Sequence, residues 1–238
     1  MNSERVDIAD NLRRVKERIR RAADKVGCDP DGIELVAVTK GFPADYILKA
    51  AAAGVRIIGE NRAQEASTKH LEISSKIPKD LEWHFIGHLQ TNKVKMVIGF
   101  SDLIHSLDRE SLAVELDKRA RDTGKIQRVL IEVNVAGEET KGGIAESGVD
   151  DLIGKLVAYK NVRVEGIMTM APWGADDVSV RNVFSHLKRL YDKVIDKFDL
   201  DHFKTLSMGM TDDFEIAIEE GSNMVRIGRA IFGDRRTN

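Results

Sequence analysis

The chain has 238 residues, of which 42% are hydrophobic and 32% charged, with a formal net charge of -2 at pH 7. This is the balance of a soluble globular protein long enough to bury a sizeable core, and the slight acidity argues against nucleic acid as the main partner. The longest apolar runs fall far short of a membrane span, no apolar segment follows residues 1–5 to form a signal peptide, and the single Cys28 permits no internal disulfide, which together predict a cytoplasmic protein.

A helix is predicted over residues 3–26, where Val6, Ile8, Leu12, Val15 and Ile19 recur at three- to four-residue steps and Gly27 offers a C-terminal cap. Residues 35–38 form an unbroken apolar run, the pattern of a strand covered on both faces. That strand leaves through Thr39 and Lys40 into the breaker Gly41-Phe42-Pro43. From there a unit repeats. Helices are predicted over 44–53, 62–77, 92–98, 109–121, 149–158, 178–196 and 212–220, with a short last one from Arg229. Strands are predicted over 55–58, 81–86, 103–105, 128–133, 162–167, 205–207 and 224–227. No two consecutive strands are joined by a hairpin-type turn, so the strands run parallel. Eight of them without a low-complexity linker predict one domain over 1–238, an α/β closed (β/α)8 TIM-type barrel with an extra N-terminal helix. The alternative is an open doubly wound sheet.

In either architecture the site forms at the carboxyl ends of the strands. Lys40 stands at the first of these ends. One reading is a lysine that ends a strand and points at water. The other is an amine half inside an apolar wall, whose pKa falls and which condenses with a carbonyl to form a Schiff base. After the seventh and eighth strands, Ser207-Met208-Gly209 and Arg226-Ile227-Gly228-Arg229 each lead into a helix through a glycine. Barrels often build a phosphate site from these two loops, although tight turns alone would also use such glycines. A phosphate site facing a lysine points to pyridoxal 5′-phosphate (PLP), with the aldehyde on Lys40. Arg226 is then placed to meet the pyridine nitrogen, the alternative being an ion pair with Glu219 or Glu220. An arginine cannot accept that nitrogen's proton, so the ring would stay a weak electron sink, a poor fit for transamination. His84 and His88 have the spacing of a helical metal pair, but a strand does not bring that spacing together, and no metal is predicted. Lys141 either reaches the mouth or is an ordinary loop lysine.

Six stretches carry a resemblance over nearly the whole chain: Ala37-Val38-Thr39-Lys40, Ile58-Gly59-Glu60-Asn61-Arg62, residues 83–90 (WHFIGHLQ), residues 166–170 (GIMTM), residues 206–210 (LSMGM) and residues 225–233 (VRIGRAIFG). In this order and spacing they resemble the YggS/PROSC-type PLP homeostasis proteins. The resemblance implies a single barrel like the N-terminal domain of bacterial alanine racemase, with PLP bound covalently to Lys40. It implies that Ser207, with Met208 beside it, and the backbone at Gly228 and Arg229 hold the phosphate. Arg226 would meet the ring nitrogen, and Asn61, His84 and Met168 would lie around the ring. The family usually has threonine where this chain has Arg229, so one hydroxyl donor to phosphate is missing. The family is described as lacking robust enzymatic activity and as acting in PLP supply, with PLP-accepting apo-enzymes as the implied partners, and in keto- and amino-acid balance.

Two functions from different classes fit: a PLP-binding homeostasis protein and an amino-acid racemase. A racemase resembling the alanine enzyme needs a second acid/base, there a tyrosine from a separate domain. Here Tyr46, Tyr159 and Tyr191 all fall on predicted helices, outside the barrel, which favours binding without efficient turnover. A third reading, a sugar-phosphate isomerase, predicts no adduct on Lys40. The outer helices show no spare apolar stripe, so a monomer is expected.

Overall fold

The computed structural model describes residues 6–138 and 142–234; the first residues of the earliest predicted helix and Lys141 lie outside the described residues. Eight strands pair in parallel in chain order: β1 (Glu34–Val38), β2 (Ile57–Glu60), β3 (Glu82–Phe85), β4 (Leu103–Leu107), β5 (Gln127–Glu132), β6 (Val162–Met168), β7 (Thr205–Ser207) and β8 (Met224–Ile227). β8 pairs back onto β1, so the barrel is closed and the open-sheet alternative falls. The helices are α1 (Ile8–Val26), α2 (Ala44–Ala52), α3 (Ala63–Ile73), α4 (Val94–Val97), α5 (Glu110–Asp122), α6 (Val149–Leu156), α7 (Asp177–Lys197), α8 (Phe214–Glu219) and α9 (Arg229–Phe232). Among the described residues none is long and apolar enough to cross a membrane.

Alternation along the strands builds two cores. Val36, Ile57, Leu103, Leu130, Met168 and Met224 fill the barrel interior. Their sequence neighbours Ala37, Ile58, Ile104, Ile131, Ile167 and Val225 face outward and pack under the helices. Three strands run further toward the mouth than the apolar pattern suggests. β2 continues to Glu60, β4 to Leu107 and β6 to Met168. In the first two the added residues are partly polar, and hydrogen bonds to other buried groups offset the cost of carrying Glu60 and His105 inside. β2 also starts later than expected, because the Val55 amide donates to Ala50 O and closes α2 instead. The predicted helix 92–98 is a 3-10 turn at Thr91–Lys93 followed by the single turn of α4.

α1 lies against α8 and α9. Its apolar stripe (Ile8, Leu12, Val15, Ile19, Ala22, Ala23) is buried. Asp7 caps its start by accepting from the Asp10 amide at 3.0 Å, and Gly27 ends it at φ 70. Arg18 grips Glu215 with two donors, at 2.6 and 2.9 Å, and its guanidinium lies 4.5 Å from the Phe214 ring centre. Asn11 Nδ2 donates to Ile231 O, in α9, at 3.0 Å. The first helix thus braces the last.

Two glycines give opposite expectations. At Gly166, φ is 156 and a Cβ would stand 1.8 Å from Thr205 O on the adjoining strand. At Gly154, inside α6, a Cβ would meet nothing within 4 Å. Gly166→Ala is expected to cost ~3 kcal/mol or more, as overpacking against backbone does. Gly154→Ala should gain ~0.5–1 kcal/mol by removing backbone entropy from the unfolded chain. Urea unfolding midpoints moving in opposite directions check the pair.

Candidate functional site

The carboxyl ends of the strands gather the predicted residues from both ends of the chain. Lys40 follows Val36 and Val38 at two-residue steps, and the β1 ladder continues past the strand through the Thr39 amide to Gly59 O at 3.0 Å. The lysine therefore emerges on the interior side, half-buried, and does not simply point at bulk water. Across the closing seam, Arg226 of β8 is in register with Val36, four residues before Lys40, and is buried.

A buried cluster outside the barrel wall fixes the turn that carries Lys40. Thr39 Oγ1 donates to Glu60 Oε1 at 2.6 Å, and Lys69 Nζ donates to the same oxygen at 2.7 Å and to Thr39 O at 2.8 Å. Glu65, paired with Lys69 at 2.7 Å, accepts from the Gly41 amide at 2.5 Å. The residues before and after Lys40 are each held by this cluster. Burial pushes the Glu60 carboxyl up, while Lys69 and Thr39 favour its charged form.

The interior polar groups form one connected chain. Arg226 Nη2 donates to Thr169 O at 2.8 Å and Nη1 donates to Ser207 Oγ at 2.5 Å. Ser207 Oγ is 3.3 Å from His105 Nδ1, His105 Nε2 is 3.0 Å from His84 Nδ1, and His84 Nε2 is 3.2 Å from Glu82 Oε2. Glu82 in turn accepts from Arg128 at 2.9 Å, and Arg128 also holds Glu165 at 2.7 Å. Burial pulls the Arg226 guanidinium down to about 10, with Asp213 and Glu132 opposing, so it is a cation at neutral pH. Burial, with His84, Arg226 and Arg128 nearby, drives His105 well below the usual imidazole range, so it is neutral. The His84 hydrogen bond, aided by Arg128, holds Glu82 down at about 2.

The loops after β7 and β8 lie close together. Gly209, at φ 95, supplies the O that accepts from the Arg226 amide at 3.0 Å, and a Cβ there would stand 2.5 Å from Ala217 Cβ. The amides of Arg229 and Ala230, the first two of α9, have no acceptor among the described residues. The Arg229 side chain turns outward to Asp212 and ties the loop after β7 to the start of α9. At the exit of β2, Asn61 is half-buried, and Gly87 lets the β3 exit press on its backbone, since a Cβ would stand 2.2 Å from Asn61 O.

Two expectations need correction, those for Met208 and Met168. Met208 does not line the mouth with its side chain: it is fully buried in the outer core with Leu206, Phe203 and Ala217, on the other side of the wall from Ser207. Met168 is not in an exit loop but ends β6, where it belongs to the apolar layer inside the barrel. His84 sits within the barrel and bonds His105, whereas His88 is exposed beside Asp108 at 3.5 Å, so the two do not converge. Arg226 does not pair with Glu219 or Glu220, which are taken by Arg181 at 2.5 and 2.6 Å. Tyr191 donates to Phe203 O and Tyr159 to Glu110, both at 3.4 Å, while Tyr46 stacks on Phe42. Sequence reasoning missed His105, Glu60, Lys69 and Glu132. The first two lie on strands that were drawn too short, and Lys69 was an ordinary helix residue.

Glu132 ends β5, on the strand opposite β1 in the eight-stranded ring, and is buried. Burial, with Asp108 nearby, pushes its carboxyl up to about 7, and Arg226 opposes. A folded pKa above the unfolded value near ~4.3 means the neutral form is favoured in the fold. Stability from this group is full below pH ~4 and is lost as pH rises through about 7. Glu132→Gln should therefore match the wild type near pH 4.5 and exceed it at pH 8, by on the order of 3 kcal/mol at most. Denaturant unfolding at the two pH values reads the difference.

Comparison with known proteins agrees with this geometry. The family model described as alanine racemase, N-terminal domain, matches residues 9–236. The pyridoxal phosphate homeostasis protein of Aquifex aeolicus is 43% identical over 231 residues, covering 97% of this chain and 100% of that protein. Among solved structures, an unknown protein from Bifidobacterium adolescentis superposes with a TM-score of 0.90 at 34% identity, covering 98% of this chain and 97% of that one. PipY of Synechococcus elongatus PCC7942, with PLP bound, superposes with a TM-score of 0.79 at 31% identity, covering 91% of this chain and 100% of that one. The chain belongs to the pyridoxal phosphate homeostasis proteins, a family built on the alanine racemase N-terminal domain.

Proposed function

We propose that this protein binds PLP at the barrel mouth and serves PLP homeostasis and keto- and amino-acid balance without efficient turnover. The observation that carries the reading is the closing seam, where β1, which ends two residues before Lys40, pairs with β8, whose Arg226 is buried and can only donate. Lys40 holds the aldehyde as a Schiff base. Arg226 donates toward the pyridine nitrogen and, being unable to accept its proton, keeps the ring a weak electron sink. The unengaged amides of Arg229 and Ala230, beside Ser207 and Gly209, receive the phosphate. Met168 and the apolar layer with it form the floor and keep water from the amine. When bound, PLP supplies electrophilic capture of amines; the residues around it are arranged to hold the cofactor.

Intact-mass analysis after borohydride reduction tests this. A PLP-sized adduct is expected on the wild type and absent from Lys40→Ala. An adduct that survives the substitution would place the aldehyde on another lysine.

Glu132 favours a second reading. It is an interior carboxyl that titrates near neutrality on the strand opposite Lys40, the kind of group a racemase needs as its second acid/base. Under the homeostasis reading, L-alanine in heavy water with the PLP-loaded protein exchanges its Cα hydrogen only slowly. Rapid exchange and racemisation, both lost in Glu132→Gln, would establish the racemase instead.

A further inference from the structure

The interior chain from Arg226 to Glu82 has a direction, and that direction follows from elementary hydrogen-bond chemistry. Arg226 only donates, so Ser207 Oγ accepts from it. At the other end Glu82, ionised, only accepts, so His84 Nε2 carries a proton. Between these fixed ends the two links Ser207–His105 and His105–His84 have two self-consistent arrangements.

In the first, His84 is neutral. Its Nδ1 then accepts from His105 Nε2–H, and His105 Nδ1 accepts the Ser207 hydroxyl proton. Ser207 donates inward and offers the mouth nothing. In the second, one more proton is present. It enters at Ser207 Oγ from the mouth, the Ser207 proton passes to His105 Nδ1, and the His105 Nε2 proton passes to His84 Nδ1. Three protons each move one step, His105 stays neutral, and the charge comes to rest on His84 beside Glu82. Ser207 now accepts from both Arg226 and His105, and its own O–H is turned to the mouth.

We propose that Glu82, His84, His105, Ser207 and Arg226 form a proton-coupled switch, in which uptake of one proton turns the Ser207 hydroxyl into a donor for a phosphate group held at the mouth. His105 is a positioning residue in this device, acting through Ser207. The proposal rests on the reading that the mouth receives a phosphorylated ligand. It offers one answer to the missing threonine hydroxyl at Arg229, since Ser207 supplies a hydroxyl when the phosphate arrives. Carboxylates gather around His84 and cations around His105. Glu82 on the same strand and Glu34 on β1 face His84, with Arg128 of β5 partnered by Glu82 and Glu165 of β6. His105 instead faces Arg226 and Arg128, both cations, while Glu132 and Asp213 face Arg226. Imidazole is also the side chain whose charge ordinarily changes between pH 5 and 8.

The probe is pyridoxine 5′-phosphate, which has the ring and phosphate but no aldehyde, at pH 8, where a phosphate monoester is a dianion (second pKa near ~6). Long-range 15N spectra of protein labelled at its six histidines report the tautomers. Without ligand, His84 and His105 should both be neutral with the proton on Nε2. With ligand, His84 should read as a cation and His105 as the Nδ1–H form. Calorimetry in buffers of different ionisation heat should count an uptake approaching one proton per ligand, and affinity should rise up to tenfold per pH unit lowered toward 7. His84→Gln removes the imidazole on which the charge comes to rest, so its uptake should fall to zero. Tautomers unchanged by bound ligand, or equal uptake in the two proteins, would overturn the switch and leave the PLP reading intact. No binding of the probe together with no adduct on Lys40 would overturn both. Should His84→Gln not fold, the wild-type spectra alone decide.

Discussion

The interior of this barrel is organised by a cation that can only give protons. Arg226 lies within β8, buried, and its donors fix whatever they touch as acceptors. Thr169 O is held at the exit of β6 and Ser207 Oγ at the end of β7, so three consecutive strands are tied at one height by a single side chain. Removing a buried charge from water is costly. The cost is offset here by hydrogen bonds, by Glu132 and Asp213 at the mouth, and by a polar column that leads down to Glu82 and Arg128. An apolar residue at this place would fill the barrel as well but would leave Ser207 and the two histidines without a defined orientation.

On the other side of the seam the requirement is different. The turn that carries Lys40 is held on both sides of the lysine. Glu60, Glu65 and Lys69 do this from behind the wall, gripping Thr39 and Gly41. These contacts lie on the outward face of β1 and β2, where they need no part in the chemistry. The interior side of β1 instead contributes Val36 to the apolar layer of the barrel. Division of labour between the two faces is a direct product of strand alternation.

The alternation of apolar runs and helical periods made the barrel legible, and β7 and β8 coincide with their predicted bounds. Lys40, Ser207 and Gly228 drew attention because they stand where a strand stops, and Arg226 because it lies one residue before such an end. What stayed hidden were polar residues inside strands. Glu60 and His105 read as the end of an apolar run, although each continues a buried strand because a partner from elsewhere in the chain receives it: Lys69 for one, His84 and Ser207 for the other. No local pattern announces such partners. Met208 erred in the opposite sense. Its position after β7 suggested the mouth, but it falls one residue past Ser207, and alternation turns it outward. Arg229 shows the same limit at a helix start, where its backbone faces the loop and its side chain turns to Asp212.

The seam between β1 and β8 joins the two ends of the chain, and α1 is buttressed against α8 and α9. The amine comes from the first strand to be synthesised, and the guanidinium and the free amides come from the last. Joining segments so distant in sequence carries the largest loop-closure cost in the fold, and until it is met the pocket does not exist in any partial form. A nascent chain still on the ribosome therefore carries a lysine but no pocket around it. In the proposed function, an aldehyde is captured only once β8 has closed on β1, which spares unfinished chains from indiscriminate modification.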